Sequence, residues 1–176
     1  MRVFLRSGLF GLILSLAGCA SMSMPNLKFW EPDYEFLPGP VAVEELRRAL
    51  VCDTPSADSR VQVFDSAEAL RASSVGQKLQ APSLDLGPEP ASYAVVEQGE
   101  RRTGGYSLEL RPQASLNEEG VVTLQADYLE PLPDRMRIQI VTSLCVLVEL
   151  PNQPYTGVVL VDGDGQTRAT WTRNPE

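Results

Sequence analysis

Six short runs in the second half of this chain restrict its fold more than any other feature. Residues 93–97 (YAVVE), 106–111 (YSLELR), 121–128 (VVTLQADY), 136–150, 157–161 (GVVLV) and 167–172 (TRATWT) alternate in polarity or are rich in β-branched residues. Clusters of turn formers at 99–105, 117–120, 131–134 and 162–165 separate them. Short strands joined by turn residues specify an antiparallel sheet. In 136–150, Ile138, Ile140, Leu144, Val146 and Val148 share one parity, while Val141, Cys145 and Leu147 on the other are also apolar. That pattern predicts a central strand covered on both faces.

The first half reads differently. Val43, Leu46, Ala49 and Leu50 fall at helical spacing among Glu44, Glu45, Arg47 and Arg48, which predicts an amphipathic helix. Residues 60–64 (RVQVF) alternate as a strand. Asp65 is placed to cap a helix over 66–72, with Glu68 completing a capping box. Four prolines or glycines over 81–90 mark a surface loop. The expected class is α+β, a mainly antiparallel sheet with one or two packed helices from the N-terminal half. The expected division is a leader over 1–18, a tether over 19–40, a helix-strand-helix part over 41–91 and a β-rich part over 92–176.

The leader carries an address. Arg2 and Arg6 precede the apolar run at 9–16 (LFGLILSL), which is too short to span a bilayer and suits a secretory signal. Leu16-Ala17-Gly18-Cys19 follows and resembles the lipobox of bacterial lipoproteins. The small residues admit the chain to a peptidase, and the Cys19 thiol receives the diacylglycerol. Each buried methylene of the acyl chains contributes about 0.8 kcal/mol, so two or three chains anchor the protein to a membrane. Cleavage before Cys19 removes two arginines and no acids, taking the net charge from −8 to −10. Ala20 in second place favours the outer membrane, facing the periplasm. The proline-rich stretch to Pro40 suits a spacer.

Composition excludes several functions. With no histidine, neither Ser-His-Asp nor Cys-His catalysis nor imidazole-ligated zinc is available. Net charge −8 argues against nucleic acid as a partner. No cofactor or metal is expected. Asp162-Gly163-Asp164-Gly165 lacks the remaining ligands of an EF-hand and reads as a hairpin turn. Cys52 and Cys145, left over once Cys19 is lipidated, would either pair in an oxidising compartment or remain two separate buried thiols.

The segment at 97–106, EQGERRTGGY, is the candidate partner-binding site. Gly104 and Gly105 permit positive φ at both centres of a primed two-residue turn. Thr103 and Tyr106 would flank that turn, and Arg101 and Arg102 would stand at its tip. Tyrosine and arginine are common interface anchors.

A family resemblance passes through the same residues. Ala94-Val95-Val96, Gly99, Thr103-Gly104-Gly105-Tyr106-Ser107, then 121–127, Pro131, Thr142 and Val146-Leu147-Val148-Glu149-Leu150-Pro151 resemble the C-terminal domain of PrcB-type lipoproteins. The resemblance covers 93–151, about a third of the chain, with Thr-Gly-Gly-Tyr its most specific part. Where the family usually has a proline between a threonine and an aromatic in the later strand, this chain has Thr142-Ser143-Leu144-Cys145. The resemblance implies a lipid-anchored, non-catalytic protein that binds another envelope protein, as a subunit or stabiliser of a protease complex. The alternatives are a protease inhibitor presenting a glycine-rich hairpin and a structural envelope lipoprotein without a protease partner.

Overall fold

The computed structural model describes residues 37–52, 56–86, 91–134, 136–150, 153 and 155–174. The leader, Cys19 and most of the tether lie outside the described residues. The described residues form one compact unit, built as two β-sheets with a helical layer on one of them.

The segment expected to be a helix is instead two strands, β1 (Gly39–Ala42) and β2 (Glu44–Ala49). They form one bent strand shared between the sheets. β1 pairs antiparallel with β6 (Gln113–Leu116), and β2 pairs antiparallel with β8 (Cys145–Leu150). Val43, 8% exposed, makes the corner, and its N–H donates to the Pro112 carbonyl at 2.9 Å. A register shift between Glu45 and Arg47 explains the misreading. The extra residue breaks the two-residue alternation and leaves apolar positions at helix-like intervals. Tertiary pairing then overrides the helical propensity of EELRRA. β1 also takes Gly39 and Pro40 out of the expected tether.

One sheet has the order β2-β8-β4-β3, with β3 at Arg60–Phe64 and β4 at Ser92–Glu97. The other runs β1-β6-β7-β9-β10, with β7 at Val121–Leu129, β9 at Gly157–Val161 and β10 at Thr167–Thr172. β5 (Ser107–Leu110) pairs with the C-terminal half of β7, and β6 with its N-terminal half. All pairings of named strands are antiparallel except β7 with β9. The parts expected at 41–91 and 92–176 therefore share both sheets.

Between the sheets lies the larger core. Val61, Ala94, Val96, Val146 and Val148 of one sheet face Leu108, Val122, Leu124, Val158 and Leu160 of the other. Each fully buried side chain of this size contributes about 1.5–3 kcal/mol. The opposite face of β4 and β8, carrying Tyr93, Val95, Cys145 and Leu147, is covered by α1 (Ala67–Ala72), α2 (Ser74–Lys78) and a 3-10 turn at Ala81–Ser83. Ser66, not Asp65, caps α1, its hydroxyl accepting from the Ala69 N–H at 3.0 Å. Ala81 and Leu86 of the expected surface loop are buried beneath this layer. Cys52 and Cys145 form a disulfide within it, Cα atoms 5.9 Å apart.

The long strand expected over 136–150 is divided. Only Cys145–Leu150 is β8, central between β2 and β4 and covered on both faces as expected. Residues 136–141 lie outside both sheets, with Met136 fully exposed and Ile138 75% exposed. Between β9 and β10, Asp162–Gly165 is the expected hairpin turn: Asp162 Oδ1 accepts from the N–H groups of Asp164 (3.0 Å) and Gln166 (2.8 Å).

Candidate functional site

β4 ends in one sheet and β5 begins in the other, so 98–106 is a crossover and not the expected hairpin. It runs antiparallel to 138–144. The N–H groups of Gln98, Arg101 and Gly104 donate to the carbonyls of Leu144 (2.8 Å), Thr142 (2.7 Å) and Ile138 (2.9 Å), and Thr142 N–H returns a bond to Arg101 at 2.8 Å. Only Gly105 of the glycine pair has positive φ, +93°, which rules out the primed turn. A Cβ on Gly105 would lie 2.8 Å from Pro131 Cβ, whereas one on Gly104 would meet Ile140 Cγ2 at an ordinary 3.6 Å. The crossover is thus wedged between Pro131 on one side and 138–140 on the other.

The six residues singled out in the sequence take different places. Arg102 and Gly105 are exposed, and Arg101, Thr103, Gly104 and Tyr106 are half-buried. The Tyr106 ring packs against the larger core. Arg101 turns inward: its guanidinium donates to the carbonyls of Glu100 (2.9 Å), Ala57 (3.3 Å) and Gln98 (3.4 Å) and stands 5.8 Å from the centre of the Tyr106 ring. Thr103 and Tyr106 do not flank a turn on paired strands.

The residues that line a cavity are mostly others. A groove of about 400 Å³ runs over the Gly104–Gly105 backbone, walled by Pro131 and Leu132 on one side and Met136 and Ile138 on the other. Leu132 is 60% exposed, and Ile140 and Val141 extend the apolar surface along the same segment. The sequence hides this wall, because Pro131 and Leu132 read as part of a turn and Met136 and Ile138 as part of a buried strand. Its signal was length: fifteen residues exceed the usual strand of about 3–10.

Electrostatics are concentrated elsewhere. The Glu97 side chain, 3% exposed, accepts from Arg60 Nε (3.0 Å) and Nη2 (2.8 Å) and from Gln62 Nε2 (2.6 Å). Three donors on one carboxylate oxygen compensate its burial at the end of β4. Among the described residues no group of three His, Cys, Asp or Glu side chains could hold a metal ion.

Residues 92–151 match the family model described as PrcB C-terminal, about a third of the chain. The matched segment begins with β4, contains the crossover and the groove, and runs one residue past β8. This bears out the resemblance carried by the Thr-Gly-Gly-Tyr run. No curated protein and no solved structure is significantly similar to the chain.

Proposed function

We propose that this chain, a PrcB-type protein over residues 92–151, is a lipid-anchored, non-catalytic envelope lipoprotein that docks another envelope protein. In this reading Cys19 carries the acyl chains, the outer membrane holds the anchor, and the folded domain faces the periplasm. Its partner is a component of a protease complex, which the domain helps assemble or stabilise. The observation that carries the docking role is the groove over Gly104 and Gly105, with Leu132, Met136 and Ile138 left in water beside it. Exposed apolar side chains around a cavity mark interaction sites, and a partner's apolar anchor would remove them from solvent.

The inhibitor reading loses its premise. A protruding glycine-rich hairpin could enter a peptidase cleft, but 98–106 is bonded along 138–144 and packed against Pro131. Cross-linking and affinity recovery from envelopes test the docking proposal. Wild type should recover a defined partner, and Met136→Ser with Ile138→Ser should lose it. Equal recovery by both proteins would refute the groove as the docking site.

A further inference from the structure

A second cleft, of about 360 Å³, opens between the loop before β3 and the start of β10. Ser59, Arg101, Thr167 and Arg168 line it, and none of its lining residues borders the docking groove. Arg168 is there because of a β-bulge. The β9–β10 register shifts between Thr167 and Ala169, so Arg168 is the extra residue. Bulges of this kind re-aim a side chain away from the regular alternation.

Neither cationic group in the cleft is hydrogen-bonded to a carboxylate among the described residues, although Asp58 also lines the cleft. Arg168 stands over the Tyr128 ring, 4.9 Å from its centre, and forms a loose ion pair with Asp162 at 3.7 Å, beyond hydrogen-bond distance. Among the described residues Arg101 donates to backbone carbonyls, which do not cancel its charge. Arg48, Arg60 and Arg173, by contrast, are hydrogen-bonded to Glu45, Glu97 and Asp65. The Tyr128 hydroxyl donates to Ser59 Oγ at 3.2 Å, and Ser59 donates to the Gln98 carbonyl at 3.1 Å, which fixes the wall between the two arginines. Burial raises the Tyr128 phenol above its ordinary value, against the opposing fields of Arg168 and Arg101. A neutral hydroxyl thus sits between two permanent cations.

We propose that this cleft binds a peptide carboxylate, with Arg168 and Arg101 as its charge partners. The guanidinium fork matches a carboxylate in shape and charge. Asp58 in the lining and Asp162 beside Arg168 balance the two arginines in formal charge, so recognition rests on the guanidinium hydrogen bonds, and a doubly charged phosphate is disfavoured relative to a single carboxylate. The proposal is independent of the groove and of the identity of any protein docked there.

Amide chemical shifts of the mature protein, followed at constant ionic strength, provide the test. The probes are acetyl-tetra-alanine with a free C-terminal carboxylate, the same peptide as its amide, and an amide-capped acetyl peptide with one internal glutamate. At least one carboxylate peptide should give saturable shifts at Ser59, Arg101, Thr167 and Arg168, with none from the amide. The free acid binding alone assigns a chain end, and the glutamate peptide binding assigns a side chain. Arg168→Gln should weaken binding about tenfold or more, and Arg101→Gln gives a second variant should one of them perturb the fold. Equal shifts from acid and amide, an unchanged affinity in the folded variants, or saturation by inorganic phosphate alone would overturn the proposal.

Discussion

Replacing each glycine of the Thr-Gly-Gly-Tyr run with alanine separates two explanations of that motif. At Gly105 the added Cβ meets a φ of +93° and a Pro131 carbon 2.8 Å away. The backbone term alone costs about 1–3 kcal/mol, and the contact forces Pro131 or the crossover to move, so about 2–3 kcal/mol is expected overall. Gly104 lacks positive φ, and its Cβ would find no atom closer than 3.6 Å. Gly104→Ala should therefore change stability by less than about 1 kcal/mol in either direction, since the loss of unfolded-state freedom offsets small strains. At about 3–5 °C per kcal/mol for a domain of this size, Gly105→Ala should lower Tm by roughly 6–15 °C and Gly104→Ala by little. Urea unfolding should reproduce the ranking with unchanged m-values. Equal losses at the two positions would refute the account and restore the primed turn, which needs both glycines.

Four further outcomes follow from the same geometry. In the denatured, unreduced mature protein a thiol reagent should label neither Cys52 nor Cys145, and removing the bridge should cost about 4–5 kcal/mol for a loop of this length; stoichiometric labelling would contradict it. Met136→Ser with Ile138→Ser should change stability by less than about 1 kcal/mol, because both side chains are already in water; a large melting drop would place them in a packed core. Arg60→Met should cost about 2–3 kcal/mol by leaving Glu97 buried without its cation, whereas Arg111→Met, which breaks the exposed pair with Asp127, should cost under about 0.5 kcal/mol; equal small losses in denaturant melts would show that the burial of Glu97 is not compensated by Arg60. Cys19→Ser should abolish incorporation of labelled palmitate, and equal labelling of wild type and variant would end the anchoring proposal.

The fold was legible where the two-residue period is intact. β3, β4, β7 and β9 fall within about two residues of the runs that announced them, and so does β10, whose bulge at Arg168 lies at its first residues. It was illegible where a bulge or bend interrupts that period. β2 slips between Glu45 and Arg47 and so imitates a helix. β6 is four residues long and follows β5 around a bend at Arg111 and Pro112, leaving too short a run to register. The site was half legible for a different reason. Apolar alternation over 136–141 resembles a buried strand, and nothing within those residues says that neither side would be covered. Burial of apolar residues is a one-way rule, and exposed ones are recognised only once their neighbours are placed. The arginine cleft was hidden more fully, because its parts come from the loop before β3, the crossover and β10, which only the fold brings together.

The crossover geometry separates what the motif does from what would recognise a partner. Gly105 lets the chain pass Pro131, Gly104 donates its N–H to the Ile138 carbonyl, Arg101 ties the loop to the carbonyls of Ala57 and Gln98, and Tyr106 packs against the core. Each of these acts on the loop's own position, and Arg101 alone also faces the second cleft. The side chains left in water around the proposed docking groove are those of Leu132, Met136 and Ile138, none of them in a strand or in the motif. If the proposed groove docks a partner, changes in its exposed wall would leave the crossover in place, so the same Thr-Gly-Gly-Tyr run would be compatible with different partners. The departure at Thr142-Ser143-Leu144-Cys145 fits that division: Thr142 and Leu144 bond to the crossover through their backbones, and Cys145 anchors the disulfide. Their side chains face inward, at 9%, 5% and 0% exposure, and would not meet the partner. Partner identity in this chain would then reside in the wall at 131–138, and Tyr106→Ala would report on folding rather than on docking.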